Sequence, residues 1–212
     1  MLIDRFNKNI KMENLMINRI NGNEPEEKSK KEQSLHSRID MKFLDQRKIF
    51  LWGEVNNDSA KDIVSKLFYL ESEKPGEPIT FFIDSPGGIV SSGFSILDTM
   101  NLISSPVSTV CMGLAASMGS ILLSGGEKGS RYIYPLGEVM IHQPSMGSLR
   151  ATAADIEIET RQILKTKELS AKILSKNCGQ TKNRIYKDFD RDHWMDAEES
   201  IKYGIVDKIY TI

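Results

Sequence analysis

An α/β domain, with helices laid over mostly parallel strands, is predicted by three observations. Between Lys48 and Gly125, short apolar or β-branched runs alternate three times with helical patterns. The runs are punctuated by turn and cap signals, among them Asn57-Asp-Ser, Pro75-Gly76 and Ser85-Pro-Gly-Gly88. The links between them are also short, so each helix must fold back over the strand before it.

Residues 1–40 precede this pattern. Met1 to Ile20 scatters apolar residues among Asn, Lys and Arg, and Asn21 to Gln33 is almost wholly polar. Such composition buries too little apolar surface to offset ordering entropy, which predicts a mobile amino-terminal arm ahead of a domain over 41–212. The arm lacks the apolar core and small-residue cleavage site of a secretory signal, and its acidic residues are unlike a transit peptide. Met12, Met16 and Met41 are alternative starts.

Within the domain, Lys48-Ile-Phe-Leu-Trp-Gly53 reads as a buried strand, and Ala60 to Leu70 as a helix with Ile63, Leu67 and Leu70 on one face. Pro78-Ile-Thr-Phe-Phe-Ile83 is the second strand, and a helix through Ile96 and Met100 follows its glycine turn. Val107 to Met112 is the third strand; it tightens at Gly113 and two alanines, and a helix-like run then stops at Gly125-Gly126. Two short strands follow, Arg131 to Tyr134 and Glu138 to His142. The longest helical pattern runs from about Ala153 to Lys176, with Ile156, Ile163, Ile173 and Leu174 near helical spacing among charged residues. It predicts either a projecting helix that buries its stripe against another subunit or a cover on its own domain. A short helix from Thr181 to Phe189, a turn from Asp190 to Met195, a helix from Ala197 to Tyr203 and a strand from Ile205 to Ile209 complete the chain.

Composition narrows the function. The 212 residues are 40% hydrophobic with a formal net charge of −1, which supports one ordinary core and gives no basic surface for nucleic acid or an anionic membrane. No apolar run reaches bilayer-spanning length. Cys111 lies in an apolar strand and Cys178 near a helix end, so the pair reads as reduced thiols of a cytoplasmic chain. Three histidines without close pairing show no zinc-ligand spacing.

The candidate chemistry centres on Ser117. A serine at a strand-to-helix turn projects its hydroxyl from the end of a buried strand, much as in the nucleophile elbow of serine hydrolases, although Ala115 and Gly119 stand where that motif wants two glycines. Close packing of two elements would equally account for the small residues around it. A serine hydroxyl needs a base, and His142, which closes the strand Val139-Met-Ile-His142, is the best partner. His36 lies in the arm and His193 in an acidic turn. Asp188, Asp190, Asp192, Asp196 and Asp207 are all candidates for the acid that orients the histidine, and spacing does not choose among them. The glycines of Ser85-Pro-Gly-Gly88 let the backbone approach a substrate, where a peptide N–H could face that of Met118 across an oxyanion.

The ordered set Ile83-Asp-Ser-Pro-Gly-Gly88, Gly113-Leu-Ala-Ala-Ser-Met-Gly119, Met140-Ile-His-Gln-Pro144, Ala154-Asp-Ile-Glu-Ile158, Arg191-Asp192 and Ala197-Glu-Glu-Ser-Ile-Lys-Tyr-Gly-Ile-Val-Asp207 closely resembles the Clp protease proteolytic subunit, over roughly residues 47–210. The resemblance implies a crotonase-like fold with the long helix as a projecting handle. It implies Ser117 as nucleophile, His142 as general base, Asp192 as the orienting acid, and the N–H groups of Gly88 and Met118 as the oxyanion hole. It further implies stacked seven-membered rings, of this chain alone or mixed with a paralogous subunit, enclosing a chamber fed with unfolded proteins by a hexameric ATP-driven unfoldase. No cofactor is expected; ATP belongs to the unfoldase, since no phosphate-binding loop is present here. The alternatives are a weakly active or structural paralogue in a mixed ring, and an acyl-CoA enzyme of the crotonase type.

Two departures from the family pattern stand out. Leu35-His-Ser-Arg-Ile-Asp-Met-Lys-Phe-Leu44 behind a long polar arm replaces the usual stretch before the first strand, which bears on pore gating and unfoldase docking. Asp84 stands where asparagine is common, and a carboxylate beside the oxyanion hole would oppose the charge formed there. Phe82 occupies a position where an aromatic ring often lines the unfoldase-docking cleft.

Overall fold

The computed structural model describes residues 25–145 and 152–211; the first 24 residues of the polar arm and the Gly- and Ser-bearing link after Pro144 lie outside the described residues for the most part. The chain divides into two units, Met1–Phe43 and Leu44–Ile212. The division falls in the last turn of helix α1, Pro25–Asp45. No helix was expected over this stretch; proline opens its first turn, and Glu, Lys and Gln, all good helix formers, fill the next ones.

The second unit is the α/β domain. Its elements are β1 (Lys48–Trp52), α2 (Asn57–Glu73), β2 (Ile79–Ser85), α3 (Val90–Leu102), β3 (Val107–Ala116), α4 (Met118–Ser124), β4 (Arg131–Ile133), β5 (Glu138–Ile141), α5 (Ala153–Cys178), α6 (Lys182–Asp188), β6 (His193–Met195), α7 (Ala197–Tyr203) and β7 (Lys208–Ile209). The strands β1-β2-β3-β4-β7 lie side by side and parallel, while β5 leaves this path to pair with β3 in parallel and with β6 antiparallel. The predicted alternation of strand and helix thus appears as a mostly parallel sheet.

Local chemistry explains the helices that cover it. Asn56 accepts the N–H groups of Asp58 and Ser59, and Ser59 returns a bond to the Asn56 N–H, so α2 starts with a closed capping box. Ala60, Ile63, Leu67 and Leu70 then share its buried face, and α3 buries Gly93, Ile96, Leu97 and Met100. Phe81, Ile79 and Ile83 of β2 are fully buried between strands and helices. Each large side chain of this set contributes about 1.5–3 kcal/mol by leaving water.

Across the sheet, Phe50 of β1 stacks on Phe82 of β2 with ring centroids 4.9 Å apart, and Tyr210, just after β7, meets Phe82, Tyr132 and Tyr134.

The long helix packs on its own domain over only part of its length. Thr152 and Asp155 cap its start reciprocally, and Gly179 ends it in the left-handed conformation. Only Ser170, Ala171, Leu174 and Cys178, near its end, are buried in its own domain. Ile156, Ile158, Leu164 and Leu169 are exposed.

Three boundaries differ from the sequence expectation. The third strand continues through Ala116, four residues past Met112. The Asp190–Met195 turn contains strand β6, which forms because β5 offers it an unpaired edge. The last strand shrinks to Lys208–Ile209, because Ile205 and Val206 are buried in the turn that follows Gly204, whose left-handed conformation ends α7.

A charge pair with a buried guanidinium ties β4 to the chain before β7 and to the end of α5. Arg131, 3% exposed, meets Asp207 through Nη2 at 2.6 Å and Nε at 2.9 Å, and its Nη1 donates to the Asn177 carbonyl at the end of α5. Burial alone would raise the Asp207 carboxyl, but the guanidinium and the N–H groups of Arg131 and Gly129 outweigh it and hold the carboxyl below the usual range. Its stabilisation is therefore complete above the unfolded-state value of about 4 and is lost as pH falls through the lower, folded-state value. Asp207→Ala leaves a buried guanidinium without its counter-charge and should cost about 3–5 kcal/mol at pH 7 in urea denaturation. The gap to the wild type should narrow below about pH 4, as the wild-type carboxylate is protonated.

Candidate active site

Ser117 sits between β3 and α4 with φ 54° and ψ −120°, a backbone region that side chains avoid and that only a well-supported turn maintains. The support is local. The Ser117 N–H donates to the Met140 carbonyl at 2.8 Å, and the Ser117 carbonyl accepts the Ser120 hydroxyl at 2.6 Å and the Ser120 N–H at 3.1 Å. The small flanking residues are required as well: a Cβ on Gly119 would stand 3.1 Å from the Ser85 carbonyl oxygen, and one on Gly93 would run into the Met118 side chain. Close packing of the small residues helps to fix the turn.

His142 follows the last residue of β5. The Ser117 Oγ lies 2.8 Å from His142 Nε2, and His142 Nδ1 lies 3.2 Å from Asp192 Oδ1. Strand register explains the convergence. Ala116 of β3 lies beside Met140 of β5, and Ile141 of β5 lies opposite His193 of β6. Continuing the antiparallel register by one residue sets His142 opposite Asp192. The histidine side chain is 27% exposed and the aspartate 60%, so the site opens to solvent at its acid end.

The other candidate acids have different occupations. Asp188 receives the Tyr203 hydroxyl and pairs with Arg184; Asp196 caps α7; Asp207 pairs with Arg131. Asp190 accepts from Gln143 Nε2, whose own Oε1 accepts from Lys167 of α5 at 2.7 Å. That bridge, together with the Gln143 N–H on the Phe189 carbonyl at 2.6 Å, fastens the strand after His142 to the segment before Asp192. The sequence reading passed over Gln143, although its place beside the histidine was a signal. His193 packs its ring against Tyr203 instead of entering the site, and His36 lies on α1 of the first unit.

The glycine turn closes the other side. Val55 pairs with Gly88 as an isolated parallel bridge, with Val55 N–H to the Gly87 carbonyl at 2.8 Å and Ile89 N–H to the Val55 carbonyl at 2.7 Å. In that geometry the neighbours of Gly88 make the bonds, so its own N–H points away from Val55. Among the described residues neither the N–H of Gly88 nor that of Met118, first residue of α4, has an acceptor. Buried Ser85 shapes the turn by accepting the Gly87 N–H on its hydroxyl at 3.1 Å.

The carboxylate of Asp84 has a partner of its own: Oδ1 accepts the Leu114 N–H at 3.0 Å. Beside it, burial and then the Asp84 charge push the Cys111 thiol up to about 12. Burial, with Arg131 acting against it, likewise takes Cys178 to about 12. Both cysteines are free, buried and protonated at neutral pH, which removes them as nucleophiles.

A model of the Clp protease family matches residues 29–212. The chain belongs to the Clp protease family. It is a ClpP-type peptidase, and its mostly parallel sheet with covering helices is the crotonase-like fold of that family. No helix among the described residues is long and apolar enough to cross a membrane.

The close approach of the glycine turn to the Ser117 elbow gives a direct test of this packing. A Cβ on Gly87, at φ 93°, would lie 2.7 Å from both the Ala116 carbonyl oxygen and Ser117 Cβ. Gly87→Ala should lower stability by about 2 kcal/mol or more, read as a shifted midpoint in chemical denaturation.

Proposed function

We propose that this chain is the proteolytic subunit of an ATP-dependent serine endopeptidase, hydrolysing peptide bonds of unfolded proteins through a Ser117–His142–Asp192 triad. The observation that carries the reading is the unbroken contact from the Ser117 hydroxyl through both ring nitrogens of His142 to the Asp192 carboxylate.

Ser117 Oγ attacks the substrate carbonyl carbon while His142 Nε2 takes the hydroxyl proton. Asp192 holds Nδ1 protonated, which leaves Nε2 free to accept, and it stabilises the imidazolium that forms. The N–H groups of Gly88 and Met118 receive the developing oxyanion, where loss of one donor typically costs about 100- to 1,000-fold in rate. The tetrahedral adduct collapses as His142 returns the proton to the departing amine, leaving an acyl ester on Ser117. Water, deprotonated by the same histidine, releases the peptide acid and restores the serine.

Family membership also supports a reading of assembly. A site this open would endanger other proteins unless enclosed, and stacked seven-membered rings supply the enclosure. The exposed Ile156, Ile158, Leu164 and Leu169 support the long helix as the handle between rings. The aromatic cluster built on Phe82, Phe50 and Tyr210 supports docking of a hexameric unfoldase, which spends the ATP.

A fluorophosphonate should label wild-type protein at Ser117, mapped by mass spectrometry. An unlabelled serine in an intact ring would favour the structural paralogue. Ser117→Ala should remove peptide hydrolysis by about 1,000-fold or more while native mass spectrometry shows unchanged assembly; near-wild-type turnover would overturn the assignment.

A further inference from the structure

Strands β2 and β3 run in step from Ile79 beside Val107 to Ile83 beside Cys111, and then fall out of step, with Ser85 beside Ala115. Over two residues of β2, β3 advances four, so Met112 and Gly113 form an extra loop of backbone within the strand. A parallel ladder cannot supply every bond across such an irregularity. The Leu114 N–H turns to the side chain of Asp84 instead, at 3.0 Å from Oδ1. The carboxylate also lies flat against the residue before it, since a Cβ on Gly113 would come within 3.2 Å of the same oxygen.

This irregularity decides where β3 goes. Before it, Thr109, Val110 and Cys111 pair with Arg131, Tyr132 and Ile133 of β4. After it, Leu114, Ala115 and Ala116 pair with Glu138, Val139 and Met140 of β5. The next residue is Ser117, tied by its N–H to Met140, and His142 stands two residues after Met140, just past the end of β5. Successive residues of β2 therefore hold the two walls of the site: Asp84 holds the serine strand, and Ser85 holds the turn that carries Gly88.

We infer that Asp84 is a positioning residue for the hydrolysis, acting as a hydrogen-bond acceptor that pins the transfer of β3 from β4 to β5 and thereby sets Ser117 against His142. The inference rests on the serine-peptidase reading for its kinetic consequence, not for the contact itself. What is required of residue 84 is an oxygen at Oδ1; the negative charge is incidental. Asparagine meets that requirement and alanine does not. Because the residue touches no reacting atom, its loss should act on the geometry of attack, where a misplacement on the order of 1 Å costs about 100-fold.

The experiment compares Asp84→Ala and Asp84→Asn in the full chain, by steady-state cleavage of a short fluorogenic peptide and by amide hydrogen exchange resolved to 112–117. For Asp84→Ala, kcat should fall by about 10- to 100-fold with KM little changed. Exchange at the Leu114 and Ser117 amides should accelerate at least about tenfold, while amides of α2 keep wild-type protection. Asp84→Asn should restore kcat to within about threefold of wild type and restore both amides. Wild-type exchange at Ser117 in Asp84→Ala, or an Asn variant as impaired as the Ala variant, would overturn the inference. If the wild type itself neither cleaves peptide nor takes the fluorophosphonate, the serine-peptidase reading fails, and the exchange data still decide whether Asp84 pins the strand.

Discussion

Strand β5 is four residues long, yet the arrangement of the site depends on its being paired along both edges. Its parallel edge fixes Ala116 beside Met140, and its antiparallel edge fixes Ile141 opposite His193. A strand register cannot drift by one residue without turning every side chain to the opposite face. Here a slip on either edge would also separate Ser117 from His142, or His142 from Asp192. The placing of Ser117, His142 and Asp192 is thus a consequence of two ladders, and the hydrogen bonds among the three side chains complete what the backbone has already placed.

Strain at Ser117 is intelligible in the same terms. A non-glycine residue at φ 54° is unfavourable by about 1–3 kcal/mol and persists only where its surroundings over-determine it. The Met140 carbonyl, the Ser120 hydroxyl and the close glycine contacts from the 85–88 turn together provide that determination. Outside the site, the Arg131–Asp207 pair connects β4, the chain after α7 and the end of α5, so the helix that carries the exposed apolar residues is anchored at its carboxyl end. Lys167 of the same helix reaches Gln143 beside the histidine.

Much of this was visible residue by residue. Ser117 and His142 could be singled out because a residue type at the end of an apolar run is a local property, readable without knowing what lies across the sheet. The cap at Asn56, the buried face of α2 and the glycine turn at 85–88 were legible for the same reason. Asp192 was different: five aspartates were open until the family resemblance chose one, and the choice depends on a register between strands about fifty residues apart. Strand β6 was read as a turn because three residues carry too little periodicity, and helix α1 was not foreseen because composition reports burial and not helix propensity.

Sequence alone determined the alternation of elements, the α/β class, the nucleophile and base candidates, and, through its ordered motifs, the family. Tertiary structure decided that β3 changes partners after Cys111, that Asp84 spends its carboxylate on the Leu114 N–H, and which half of the long helix is buried. The physical reason is range. Caps, turns and amphipathic faces are set by residues within one or two helical turns, whereas pairing across a sheet is set by the competition of whole strands for the same edge.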